Sequence, residues 1–568
     1  MDITIKTGNA AVAQLSDRSF QQAWKLLYED CSWATRFQDV DFVCTWYDVY
    51  KERFIPIIIS QYSAEGALVG LLTAACHKDT GDLVIAGGHQ AEYQTWLAAQ
   101  SSNSFIRDAL LKLRKEFPRR DLVFTYLPPG TPLNQLLNDR QLRRYCSVAE
   151  YRRPLLTIDA AKLSEFFRKK NVRNYFNRLK ALGEPRFERI TGMEEFERLL
   201  PAIMAQCDFR QGAINNSFPF KNDPLKKPFH IALMRKPDLL HVTVLKIGDE
   251  LVAANLNLQD DKTVHTGVLT HSPLYARYRP GTLHLLMLGM ELAKEGFSLL
   301  DLTPGGGDWK ERFATGHDVV HQLTIYGSVK AMTTASLYCK VRKTVKQGLN
   351  IINVTPNMVK ATGHKLKQIN ARRLPVKLIG GIHDDAELRI YRYNANEVKD
   401  LPHPNLMEKN NLADLLGFEP TKIWQTCQDF LRYALNRLEE GHHIYTRIEN
   451  GRLVHYGWLL EEQESAKFFE VDQQFRFPKG SALLLDFWTH QDARGNGLYR
   501  AAIEQMLHDA AISPGIEYIY IAVPADDTSS RDVLETLGFQ YQCSLFREKI
   551  FGITRKWSNQ NQPIVSQE

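Results

Sequence analysis

Apolar and polar positions along this chain change period repeatedly, from alternation or short apolar runs to a three-to-four spacing and back. The pattern predicts strands and helices succeeding one another in an α/β manner. It is plainest in the C-terminal third. His443–Ile448 and Leu453–Leu460 flank Glu449-Asn450-Gly451-Arg452. Asn-Gly between two β-rich runs predicts a hairpin, because both residues accept the positive φ of a type I′ turn. A strand Ala482–Thr489 follows, then a glycine-containing loop at 494–497, a helix from about Leu498 to Ala511 and a strand Tyr518–Val523. The middle of the chain predicts the same order. Strands Leu240–Ile247 and Leu251–Leu258 turn at Gly248-Asp249, and Thr263–Thr270 follows. Then come a loop with Arg279-Pro280-Gly281, a helix Thr282–Lys294 and a strand Phe297–Leu302. A weaker third copy stands near the start, with strands Phe54–Gln61 and Ala67–Ala75, a helix Asn103–Phe117 and a strand Leu122–Leu127. Three copies of one α/β module are expected.

Length and charge refine this picture. At roughly 100–200 residues per domain, 568 residues imply about three or four domains. With 44% hydrophobic and 24% charged residues, the composition excludes a disordered or fibrous chain. No stretch reaches the roughly 18 apolar residues of a membrane span, and the N-terminus lacks the basic-then-apolar order of a signal peptide. A cytoplasmic protein is expected. The eight cysteines include no Cys-x-x-Cys pair, so neither a disulfide framework nor a metal site is expected. Between Asp318 and Asp384 there are eleven basic residues and no acidic one; without them the net charge of +6 becomes −5. That segment predicts a basic helical connector at 330–377. A solvated helix face accounts for its charge. The sharper reading is peripheral contact with an anionic membrane surface, where each Lys or Arg adds about 1 kcal/mol. No aromatic interleaving points to nucleic acid.

Candidate chemistry lies at Leu483–Arg500, where a buried strand enters a short loop with two glycines and then an amphipathic helix. Backbone N–H groups at such a helix start are unpaired and favour a phosphate or pyrophosphate. Arg494-Gly495-Asn496-Gly497-Leu498-Tyr499 resembles the acyl-CoA-binding signature Arg/Gln-x-x-Gly-x-Gly/Ala of the GNAT acetyltransferases, with Tyr499 in place of the small residue. Asp527–Phe539, closing in Leu537-Gly538-Phe539, resembles a later helix of that family, with Leu534 where a general-acid Tyr is frequent. The resemblance implies acetyl-CoA or another acyl-CoA as cofactor. It would lie along Phe487, Trp488 and Thr489, with its pyrophosphate at Arg494, Gly495, Asn496, Gly497, Leu498 and Tyr499. Of the carboxylates near the loop, Asp486 is the nearest candidate for the catalytic base, and His490 is second. A solvated or ion-paired Asp486 and a solvent-facing His490 are the bland alternatives.

Residues from about 30 to 325 resemble the FemAB-like two-lobed acyltransferases, in particular an acetyltransferase-like branch found with cellulose and exopolysaccharide production. The resemblance is carried by Phe42–Tyr47, Gly87–Tyr93, the basic helix Lys169–Gly183, Tyr275–Gly281, Phe297–Leu302 and Trp309-Lys310. It implies an α/β (α+β) fold of repeated GNAT-like mixed sheets flanked by helices: lobes at 1–155 and 156–329, the connector 330–377, and a C-terminal GNAT domain at 378–568. A second anion cradle is expected at Arg279, Gly281 and Thr282, poorer because Pro280 lacks an N–H. Asp301, at a strand end, and Lys310 would face one crevice as substrate contacts, and Tyr93 is a further substrate-contact candidate; a surface Lys310 and a packed Tyr93 are the plainer readings. The expected function is acetyl-CoA-dependent N- or O-acetyl transfer to a small-molecule or saccharide acceptor, such as an envelope or exopolysaccharide precursor. The alternatives are aminoacyl transfer from aminoacyl-tRNA, the one case that brings in nucleic acid, and a non-catalytic nucleotide- or protein-binding component of an envelope-synthesis complex.

Overall fold

The structure is a computed structural model. It describes residues 3–100, 102, 104–334, 383–400, 404–421, 426–550 and 553–559, so the expected basic connector from 335 onward lies outside the described residues. The chain forms two compact units. One comprises Met1–Cys207, Pro219–Ser272 and Tyr278–Gly348; the other comprises Asp208–Phe218, Pro273–Arg277 and Leu349–Glu568.

The first unit holds two sheets. β1 (Ile3–Thr7), β2 (Phe54–Tyr62), β3 (Leu68–His77) and β4 (Leu83–Ile85) pair in that order, and β5 (Leu97–Ala98) joins β3. β3 is buried over its first eight residues, as a central strand must be when both faces are covered. The helix Phe105–Glu116 lays Phe105, Ile106, Ala109, Leu110 and Leu113 into the core. Gly70 makes room for it, since a Cβ there would stand 2.4 Å from the Phe105 ring.

The second sheet contains β6 (Leu122–Leu127), β7 (Cys146–Thr157), β8 (Pro185–Ile190), β9 (Leu240–Ile247), β10 (Glu250–Gln259), β11 (Thr263–His271), β12 (Leu299–Asp301) and β13 (Gly316–Ile325). Their spatial order is β6-β13-β7-β12-β11-β10-β9-β8. β9, β10 and β11 form an antiparallel meander, and a helix Pro280–Glu295 returns the chain to β12, parallel to β11. The middle repeat thus has the order read from the sequence. The first copy does not close on itself. Its last strand, β6, pairs with β13 in the second sheet, and β7 runs through residue 155 while bonding both β12 and β13. A lobe boundary at 155/156 therefore falls inside a strand. Sequence periodicity identifies a strand but carries no information about its hydrogen-bonded neighbour.

The second unit repeats the middle architecture. Its sheet is ordered β15 (Glu408–Lys409), β16 (His443–Glu449), β17 (Arg452–Leu460), β20 (Ser481–Thr489), β21 (Tyr518–Pro524), β14 (His383–Asn394), β22 (Gln540–Ile550), β23 (Ile553–Ser558), while β18 (Ser465–Phe468) and β19 (Gln473–Arg476) form a separate hairpin. Asn450 and Gly451 have φ of 51° and 76°, the predicted I′ signature between β16 and β17. The helix Leu498–Ile512 buries Leu498, Ala502, Ile503, Met506, Leu507 and Ala510 and packs on β17 and β20. Among the described residues no helix is long and apolar enough to cross a membrane, and the cysteines are free thiols.

One glycine in this unit is set by space. A Cβ on Gly457 would lie 2.5 Å from the Phe487 ring and 2.9 Å from Met506 Cε. Gly457→Ala is expected to overpack this contact and destabilise the C-terminal unit by about 1–3 kcal/mol, measured as a lower denaturant midpoint. An unchanged midpoint would show that the contact yields freely.

Candidate functional site

β20 and β21 run parallel for four residue pairs, from Ser481↔Tyr518 to Leu484↔Ile521, and then part. The cause is local. β17 pairs with β20 at Trp458↔Leu485 and next at Tyr456↔Trp488, so β20 carries one extra residue across Asp486 and Phe487. This is a β-bulge, and Asp486 sits in it at φ 53°. Beyond Leu484, the edge of β20 facing away from β17 has no strand neighbour among the described residues.

Side chains on this stretch are occupied by packing. Phe487 meets Tyr499 edge-to-face at 5.0 Å, Trp488 stacks on Tyr456 at 5.5 Å, and the Thr489 hydroxyl is 2.8 Å from His455 Nδ1. Burial pushes His455 down to about 4, so no imidazolium lies under the strand. Asp486 apart, what residues 485–489 can offer a ligand is backbone.

The loop that follows offers backbone as well. Gly495 and Gly497 have φ of 81° and 73°, and a Cβ on either would meet no atom within 4 Å. Gly497 caps the helix without a side chain, and the first carbonyl bond runs from Ala501 N–H to Gly497 at 3.0 Å. The N–H groups of Leu498, Tyr499 and Arg500 precede it, where no carbonyl of the helix can reach them. Arg494 and Asn496 are exposed beside them. Burial, opposed by Ser530, raises the Tyr499 phenol above its ordinary value, so it stays protonated. Leu534, at the place of the frequent tyrosine acid, is fully buried.

Asp486 is engaged. The Tyr433 hydroxyl donates to its Oδ2, and Arg437 Nη2 approaches the same oxygen at 2.6 Å. The guanidinium lies over the Tyr433 and Trp458 rings, at 4.7 and 5.5 Å. Burial, and then the Asp486 charge, raise the Tyr433 phenol. His490 has a different occupation. Its Nδ1 accepts the Asp492 N–H at 3.2 Å and caps a short 3-10 turn, with the ring packed edge-on to Trp488. It is a buried cap, and not the solvent-facing loop histidine that local sequence suggested.

In the first unit the structure brings Tyr93 and Asp301 together. The Tyr93 hydroxyl donates to Asp301 Oδ2 at 2.6 Å, His265 Nδ1 stands 2.9 Å from the same oxygen, and the Thr303 N–H donates to Oδ1 at 2.8 Å. Arg153 bridges this carboxylate at 3.4 Å and Asp318 at 2.7 Å. Burial works against ionisation of Asp301, but His265, Arg153 and Tyr93 outweigh it and hold the carboxyl below its ordinary value. Lys310 is turned onto its own loop, donating to the Thr303 carbonyl at 3.0 Å, the Thr303 hydroxyl at 3.1 Å and the Pro304 carbonyl at 3.1 Å. Burial lowers its pKa, against the attraction of Glu92 and Asp301. Burial likewise raises Glu92 to about 6, with Lys310 opposing. Glu92, His265 and Arg153 were not singled out by sequence reasoning. His265 pairs with Asp301 in the parallel register of β11 and β12, which no local pattern reveals.

The expected cradle at Arg279, Gly281 and Thr282 is closed. Pro280 has no N–H, and the N–H groups of Thr282 and Leu283 both donate to the Arg279 carbonyl, at 3.0 and 3.2 Å. Gly281 is itself covered, since its Cβ would lie 3.3 Å from His271 Nδ1. Elsewhere in this unit a cavity of about 190 Å³ is bordered by Glu92, Asn257, His265, Gly267 and Thr303. β11 also bulges here, with one extra residue between Val268 and Thr266 opposite Leu256 and Asn257. Among the described residues, no cluster of three or more His, Cys, Asp or Glu could hold a metal ion.

Residues 167–311 match the family profile described as "Acetyltransferase (GNAT) domain", and residues 409–539 match that described as "Acetyltransferase (GNAT) family". No curated protein matches the sequence. Among solved structures, FemX is 10% identical, with 56% of this chain and 98% of FemX covered at a TM-score of 0.40. A conserved protein of unknown function from Bacteroides thetaiotaomicron VPI-5482 is 11% identical, covering 54% and 97% at 0.37. L-PGS from Bacillus licheniformis is 12% identical, covering 56% and 94% at 0.36. These superpositions are too loose to bear on function.

The raised Glu92 gives a pH-dependent stability. A carboxyl whose folded pKa lies above its unfolded value stabilises below the unfolded value of 4.5 and loses that contribution as pH rises through about 6. At ~1.4 kcal/mol per tenfold change in proton affinity, Glu92→Gln is expected to stabilise the chain by up to about 2 kcal/mol near pH 8 and hardly at all near pH 4. Urea midpoints of both proteins at the two pH values check this; equal differences at both would remove Glu92 as the cause.

Proposed function

We propose that this chain, an acyl-group transferase carrying two GNAT-type domains, binds acyl-CoA in the C-terminal domain and passes the acyl group to an amine or hydroxyl. Acetyl-CoA is the first donor to test, and a saccharide or envelope precursor is the acceptor class that the FemAB-like resemblance suggests. The observation that supports this reading is the parting of β20 from β21 beside a helix start with three uncommitted N–H groups. A pyrophosphate has charge and oxygens for the N–H groups of Leu498, Tyr499 and Arg500. A pantetheine arm carries two amides spaced along an extended chain, suited to pair with the free edge of residues 485–489 as an added strand.

Asp486, in the bulge at the mouth of the parting, is the proposed proton acceptor for the attacking group. Arg437 and Tyr433 hold its carboxylate in place. A backbone N–H on the open β20 edge would donate to the oxyanion. With Leu534 buried where an acid would stand, the departing thiolate takes its proton from water; a thiol of this kind has a pKa near that of free Cys, about 8.5.

Two substitutions test this. Gly497→Val has room for its side chain but holds a β-branched residue at φ 73°, a strain of about 1–2 kcal/mol per residue. The loop is expected to relax and misaim its N–H groups, weakening acetyl-CoA at least about tenfold by isothermal titration while the fold persists. Unchanged affinity in a folded variant would sink the pyrophosphate site. Asp486→Asn is expected to lower turnover by about two orders of magnitude with acyl-CoA affinity little changed. Full activity in that variant would remove Asp486 as the base.

A further inference from the structure

We propose that the N-terminal unit holds a second acid–base centre, in which Asp301 orients His265 and the Nε2 of His265 takes the proton from an acceptor hydroxyl or amine bound in the adjoining cavity. The proposal rests on the chain's being an acyltransferase and requires nothing of the C-terminal site.

Two observations carry it independently. The first is the hydrogen bond of His265 Nδ1 to Asp301 at 2.9 Å. A carboxylate accepts and cannot donate, so Nδ1 carries a proton, and in its neutral form the ring presents a bare lone pair at Nε2. Arg153, the Tyr93 hydroxyl and the Thr303 N–H also reach Asp301. The second observation is the condition of Nε2. His265 is 4% exposed and borders the cavity, and its Nε2 is buried without a partner among the described residues. Asn257, 1% exposed and bordering the same cavity, is in the same condition: its Oδ1 accepts the Gly267 N–H at 3.4 Å, and its buried Nδ2 has no partner. Leaving a buried polar group unpaired costs about 1–3 kcal/mol. Two such groups on residues that border one cavity, one a lone pair and one an N–H donor, suit a ligand with both an O–H or N–H and an oxygen acceptor.

The groups facing His265 fit this role. Phe37 and Tyr93 fix its plane, at 5.6 and 5.5 Å between ring centroids. Glu92, Lys226, His89 and His230 also border the cavity, and Lys310, which acts on Glu92 and Asp301, is held by Thr303 and Pro304. In the step itself, the acceptor oxygen or nitrogen bonds to the carbonyl carbon of an acyl thioester or activated ester, and its proton passes to Nε2. The bond from carbon to the leaving sulfur or oxygen then breaks, the electron pair departs with that atom, and the imidazolium returns the proton to it. Nothing is oxidised or reduced. His265 is the catalytic residue, and Asp301 is a positioning residue.

The test uses the full chain carrying Asp486→Asn, so that the C-terminal base is absent, with p-nitrophenyl acetate as acyl donor and water as acceptor. Adding His265→Gln is expected to lower hydrolysis at least about tenfold and to flatten its rise with pH. In ¹⁵N-histidine spectra of the unsubstituted chain, the resonance lost in His265→Gln is expected to show a proton on Nδ1. Asp301→Asn, which offers a donor amide instead, is expected to move that proton to Nε2, a change that a merely structural carboxylate would not produce. An unchanged hydrolysis rate in a folded His265→Gln chain overturns the proposal. A proton on Nε2 in the unsubstituted chain, read without any variant's folding, also overturns it. Failure of the acyl-CoA reading shows as an unaltered acetyl-CoA affinity in Gly497→Val and leaves these two readouts untouched.

Discussion

Two parallel strands that bond for only three or four residues and then separate are the constraint on which both halves of the chain rest. β11 and β12 pair from Thr263 to His265 and stop; β20 and β21 pair from Ser481 to Leu484 and stop. In each case the departing strand carries one extra residue against its antiparallel neighbour, and a bulge bends and twists the strand that holds it. The wedge so formed exposes backbone that a continuous sheet would consume. In the C-terminal domain it lies beside an open helix start; in the N-terminal unit it lies beside a cavity with a buried carboxylate at its root.

The two wedges handle charge in opposite ways. Asp486 is half-exposed and shares its oxygen with one cation and one phenol. Asp301 is wholly buried, and four donors converge on it. A buried carboxylate is tolerated only when its charge and lone pairs are met, and removal of one partner from such a pair costs about 3–5 kcal/mol. Tyr93, Arg153 and the Thr303 N–H meet Asp301 alongside His265.

Much of this was legible in the chain and some was not, for physical reasons. The Asn450-Gly451 turn, the strands around it, the glycine loop and the helix Leu498–Ile512 are local: propensity, periodicity and positive-φ residues state them directly. Tyr93 and Asp301 meet in a hydrogen bond, while Lys310 spends its donors on neighbouring carbonyls, a matter of loop path. The Asp301–His265 contact depends on strand register, and the destination of β6 depends on which sheet has a free edge. Neither is written in the spacing of a single strand. His490 looked like a loop histidine because its capping bond spans only two residues and leaves no pattern.

The glycines of the two wedges are irreplaceable for unlike reasons, and the difference is one of handedness. At Gly267 a Cβ of L configuration would strike the Leu256 carbonyl at 2.6 Å, so the site refuses bulk. At Gly495 and Gly497 the space is open and only the sign of φ is adverse, a sign that belongs to the mirror-image residue. A D-alanine would therefore sit unstrained at 495 or 497. The loop at the helix start discriminates by chirality alone, and the bulge in β11 by volume.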